Sequence, residues 1–170
     1  YVSILPLRSL VEEIVGDDFK IEELVPLGAS PETFEPTPRQ FIGLNRAEMI
    51  FNVGLIDFET TLLSKIEERG KVVNLSQGIE LIAGSCSHAC THAEQETSGG
   101  HGTSHAETHN HSHAHGVDPH VWTSPRALQK MAQNAYAAIR RAYPDSVKYE
   151  TNYKRLQADL RALDARTGEK

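Results

Sequence analysis

The chain has 170 residues, of which 39% are hydrophobic and 24% charged, enough to bury a core and the length of one domain. Its formal net charge of −6 argues against a nucleic-acid binder, which needs clustered Lys and Arg to neutralise phosphates. No apolar run approaches the roughly 20 residues that span a bilayer.

The first 83 residues alternate strand and helix patterns. Val2–Leu5 is short and β-rich, and the chain enters it without a secretory leader. A matured exported chain and a cytosolic domain would both look like this. Leu7, Leu10, Val11 and Ile14 follow at helical spacing, with Gly16 at the helix end. Lys20–Val25 reads as a second strand. Thr37, Pro38 and Gln40 form a helix start, with Thr37 as cap and Gln40 at the capping-box position, and that helix is expected to run to about Arg46. Met49–Val53 reads as a strand ending at Gly54. Phe58, Leu62, Leu63 and Ile66 mark a helix that Gly70 stops, and Val72–Leu75 is a fourth strand. The expected class is α/β, a parallel sheet flanked by helices, with ligand sites beyond the carboxyl ends of the strands.

From Gly84 to about Gly116 the large aliphatics disappear, and Ser, Thr, Gly, Ala, His and Glu dominate. So little to bury predicts a mobile insert in one loop. Ser124 and Pro125 then open a strong helix, with Leu128, Met131, Ala135 and Ile139 on one face, and Tyr143-Pro144 breaks it. From about Ser146 a last helix carries Tyr149, Tyr153, Leu156, Leu160 and Leu163. That stripe must pack on its own domain or against a further one.

All nine histidines fall between His88 and His120, together with both cysteines, and no Lys or Arg occurs between Lys71 and Arg126. Imidazole nitrogen and thiolate sulfur favour zinc first among divalent ions, with copper and nickel behind it. His88, His92, His101, His105, His109, His111, His113 and His115 form a collecting tract whose binding is weak, multiple and pH-dependent, since protonated imidazole binds no metal. Cys86 and Cys90 could join His88 and His92 in a four-ligand site, or form a disulfide in an oxidising compartment. Asp118-Pro119-His120 stands apart from the tract. Pro119 fixes the local backbone, and Asp118 can hold one imidazole nitrogen while the other faces a metal. The loop after the second strand offers Glu32 and Glu35 as hard oxygen donors. The sequence has neither H-E-x-x-H nor a G-x-x-x-x-G-K-[ST] phosphate loop, so no enzyme is expected.

These segments resemble the metal-binding substrate-binding proteins of ABC transporters for zinc and manganese, the zinc receptors above all. The residues that carry the resemblance are the opening Val2–Pro6, Val25–Pro31 with Thr33–Pro38, Asn52–Gly54 and Gly116–Pro125, and a histidine-rich insert just before Asp118 is typical of zinc-selective members. The resemblance implies one lobe of a bilobal metal receptor, ending in a long interdomain-type helix. Residues 1–145 would be the amino-terminal α/β lobe with the insert at 84–116. Residues 146–170 would begin the connecting helix, with the second lobe absent. It implies His120 as a direct ligand and Glu32 where the family usually has a histidine, with Asp118 and Glu35 supporting, in a cleft site that the second lobe completes. It further implies a monomer outside the inner membrane, with or without a lipid anchor, that hands Zn²⁺, or Mn²⁺, to a membrane permease. A metal buffer or metallochaperone built on the tract is the alternative, and a zinc hydrolase a remote one.

Overall fold

The computed structural model describes residues 1–31, 33–81 and 118–168. The insert and Glu32 therefore lie outside the described residues.

Helix α1 (Leu5–Val15) begins with Pro6 in its first turn and buries Leu7, Leu10, Val11, Ile14 and Val15. It stops where Gly16 takes a positive φ of 64° and donates its N–H to the Glu12 carbonyl. That backbone region is open to glycine at little cost. Pro6 also corrects the first expected strand. A proline pre-set for a helical first turn draws Leu5 into α1, so only Val2 pairs, bridging Glu23 on one side and Phe51 on the other. The Lys20–Val25 strand likewise contracts to a bridge at Glu23, held by Val2 N–H to the Glu22 carbonyl (2.9 Å) and Leu24 N–H to the Val2 carbonyl (2.9 Å).

Helix α2 (Pro38–Arg46) starts as expected. The Thr37 hydroxyl accepts from Gln40 N–H (3.3 Å) and the Gln40 side chain accepts from Thr37 N–H (2.9 Å), closing the capping box. Thr37→Ala is expected to cost about 1 kcal/mol, the usual loss for such a cap. Urea unfolding would read it, and an unchanged midpoint would show the box to be dispensable.

Strands β1 (Ile50–Asn52) and β2 (Val72–Asn74) pair in parallel, Ile50 opposite Val72. With the two bridges, the spatial order is 22–25, 1–3, β1, β2, all parallel. Helix α3 (Asp57–Leu63) ends well before Gly70. The Ser64 hydroxyl donates to the Thr61 carbonyl (2.8 Å), and Lys65 and Ile66 donate three residues back, tightening the chain into turns. Ile66 is still buried, but from a turn.

Helices cover both faces of this small sheet. Neighbouring strand residues divide between two apolar clusters, as side chains alternating across a pleat must. Ile50 and Leu24 pack with Leu44 of α2 and Leu62 and Leu63 of α3. Phe51 and Val25 pack with α1 and with Met131, Ala135 and Ile139 of α4 (Pro125–Ala142). Helix α5 (Val147–Gly168), about 33 Å long at 1.5 Å per residue, lies on α4 and α1. Tyr153 stacks on Tyr136 with ring centres 4.3 Å apart, Gln157 donates to the Gln129 carbonyl (2.7 Å), and Asn152 donates to the Ile14 carbonyl (3.0 Å). The expected stripe thus packs on its own domain at Tyr149, Leu156 and Leu160, while Leu163 is left exposed. Among the described residues, no helix is long and apolar enough to cross a membrane.

Candidate metal site

Asp118 and His120 stand at the carboxyl edge of the sheet, in the segment that leads into α4. Asp118 Oδ1 accepts the His120 backbone N–H (2.9 Å) and also meets His120 Nδ1 (2.7 Å). Both contacts, the backbone one first, hold the Asp118 carboxyl below the usual carboxylate range. An ionised carboxylate can only accept, so the proton of the ring contact sits on Nδ1, and in the neutral ring Nε2 carries the lone pair that binds a metal. Behind the ring, Trp122 lies with its centroid 5.1 Å away at 57°. The His120 carbonyl accepts from the hydroxyl (2.8 Å) and N–H (3.1 Å) of Thr123, pinning the backbone that presents the ring. The His120 side chain is 60% exposed.

His120 and Asp118 line an open depression of about 430 Å³. Gly78, Ile79 and Glu80, which follow β2, form one wall, and the first turns of α4, with Arg126 and Lys130, form the other. Glu80 and Asp118, on either side of the stretch 82–117, both line this depression. Ser124 caps α4 by accepting from Ala127 N–H (3.5 Å).

Among the described residues, no three of His, Cys, Asp and Glu converge to hold a metal ion. Glu35 is exposed and is not among the residues lining the depression. Glu32, the two cysteines and the other eight histidines lie outside the described residues. What is brought together is the Asp118–His120 pair, as the Asp-Pro-His spacing predicts. Three further residues escape a reading of the sequence. Glu80 looks like an ordinary exposed acid. Glu59, with Asp57 and Thr60 beside it, looks like the solvent face of a helix, yet it is fully buried. Asn74 reads as a strand end. A glycine closing a strand with an acid five residues on, as Gly54 and Glu59 stand, was the signal available for the second of these.

The lobe is a small parallel α/β fold with one largely exposed imidazole, His120, in a depression beside the residues that follow β2. A family model described as zinc-uptake complex component A, periplasmic, matches residues 1–170. The chain belongs to that family, ZnuA. It is 34% identical over 163 residues to the high-affinity zinc uptake system protein ZnuA of Bacillus subtilis, covering 94% of this chain and 47% of that protein. The zinc-binding protein AdcA of Streptococcus pyogenes is 26% identical over 164 residues, covering 94% of this chain and 31% of its own length. A crystal structure of a zinc-bound ZnuA deletion mutant superposes with a TM-score of 0.75 at 27% identity, over 99% of this chain and 56% of the other. The chain thus spans about half the length of its relatives, or less. The family serves metal transport and is not an enzyme family.

Proposed function

We propose that residues 1–145 form the amino-terminal lobe of a two-lobed zinc receptor, and that 146–170 begin the helix joining the lobes. The receptor captures Zn²⁺ outside the inner membrane as a monomer and delivers it to an ABC permease, whose ATPase partner supplies the energy. The observation that carries this reading is the Asp118–His120 pair, with a largely exposed ring in a depression at the carboxyl edge. His120 is the first ligand. Glu32 supplies a carboxylate oxygen, which binds Zn²⁺ at about 2.0–2.2 Å and hardens the site enough to admit Mn²⁺ as a second ion. Glu35 supports from the same loop, and the remaining ligands come from the second lobe.

The histidines from His88 to His115 collect zinc loosely next to that site, and the tether raises the local ion concentration as any linked binding group does. Cys86 and Cys90 serve either as further ligands or as a disulfide.

The test is a calorimetric zinc titration with chelator competition, on the full-length receptor and on a version lacking Ser85–His115. The expected result is one tight site in both proteins and several weak ones that vanish with the deletion. A tight site that disappears with the insert would transfer the function to the tract and make the protein a metal buffer.

A further inference from the structure

Glu59 is the one fully buried acid among the described residues, and the capture of zinc described above gives it no role. It sits in the first turn of α3 and turns back towards the end of β1. Its Oε1 accepts Val53 N–H (3.0 Å) and its Oε2 accepts Gly54 N–H (2.6 Å). Burial pushes its carboxyl upward, more strongly than the Ser3 hydroxyl and the amides of Val53, Gly54 and Ile56 pull it down. The Ser3 hydroxyl is itself buried against it without a well-formed hydrogen bond.

The turn that Glu59 holds presses on β2. Gly54 has a φ of +79°, and a Cβ there would lie 2.2 Å from Asn74 Nδ2. Asn74 is committed on its other side: its Oδ1 accepts both the N–H and the hydroxyl of Ser76, each at 2.9 Å. Ser76 in turn accepts Ile79 N–H at its carbonyl (3.0 Å), which folds the chain into the wall formed by Gly78, Ile79 and Glu80. From the other side, Asn134 of α4 donates to the Leu75 (2.8 Å) and Gln77 (2.9 Å) carbonyls. The wall facing His120 is therefore set by a continuous series of contacts that starts at Glu59.

We infer that Glu59 and Asn74 are positioning residues for metal capture: through the Val53–Gly54 turn and Ser76 they fix the 78–80 wall opposite His120. This rests on His120 being the ligand, as proposed above. Neither residue touches the ion. The alternative is that both merely stabilise the lobe, in which case their loss lowers the melting temperature and leaves the affinity of the folded receptor alone.

The experiment uses the full-length receptor with Asn74→Ala, Glu59→Gln and the double variant. Amide shifts of Gly78, Ile79 and Glu80 and the His120 ring resonances are read in metal-free protein, and zinc affinity by chelator competition. The shifts are expected to move in both single variants. Tight zinc binding is expected to weaken about tenfold, the lower end of what outer-shell changes cost a metal site. The double variant should be no weaker than the worse single one, because residues acting through one another are not additive. Should Glu59→Gln fail to fold, Glu59→Asp, which keeps the carboxyl and shortens the reach, takes its place. Unmoved shifts, or unchanged tight affinity in both single variants, would overturn the proposal. Moved shifts in a receptor whose tight site survives His120→Ala would leave the series of contacts standing and remove the metal reading instead.

Discussion

His120→Ala is expected to remove the tightest zinc site of the full-length receptor, with affinity falling by more than about a hundredfold. Loss of a mere outer-shell partner costs about 10–100-fold, and a direct ligand costs more. The imidazole is positioned at three points: Asp118 on Nδ1, Asp118 again on the backbone N–H, and Thr123 on the carbonyl. Alanine keeps the last two and deletes the ring with both its nitrogens, the Asp118 contact on Nδ1 included. The ring is largely exposed, so the fold should lose less than about 0.5 kcal/mol, as surface substitutions do. Weak binding by the insert should persist. Chelator competition measures the first quantity and thermal melting the second. Tight affinity that survives the substitution would remove His120 from the site.

Gly54→Ala carries the largest expected loss of stability. A residue with a Cβ held at a left-handed φ costs about 1–2 kcal/mol. The new methyl would also meet the Asn74 amide at 2.2 Å, and overpacking of this kind costs about 1–3 kcal/mol more. The sum, about 2–5 kcal/mol, is a large part of the about 5–15 kcal/mol that holds an ordinary domain together. Relief by moving Asn74 would undo its bonds to Ser76, so it is not cheap. Urea unfolding should show the midpoint falling accordingly. A midpoint at the parent value would mean that the turn can open without cost, and the contacts from Glu59 to the 78–80 wall would then be slack.

Much of this architecture is legible in the sequence wherever the signal is local. Thr37 and Gln40 announce a capping box, Gly16 a helix end, and Ser124-Pro125 a helix start, because each depends on a few neighbouring residues. The Asp118–His120 contact is legible for the same reason, since two residues on either side of a proline can hardly avoid each other. Strand length was not legible. Val2 and Glu23 pair for one residue each, because Pro6 begins a helix early and the sheet is only as long as its shortest neighbours allow. The burial of Glu59 escaped for a different reason. Its partners are the amides of a turn formed by β1 and α3 together, and the hydrophobic periodicity of α3 gives no hint of them. Nor could the packing of α5 against α1 be read from a stripe alone: Asn152 reaching Ile14 and Arg155 reaching Glu13 (3.3 Å) are contacts across more than a hundred residues.

Glu80 and Asp118, which flank the segment between them, both line one depression, beside the imidazole proposed to take the ion. Joining two anchored points by a longer chain costs only about 0.6 kcal/mol for each doubling of its length. This makes the position a natural port. A fluorescent domain spliced between Glu80 and Asp118 would leave the described contacts of the lobe in place and sit beside the proposed zinc site, where its emission is expected to change as the ion binds.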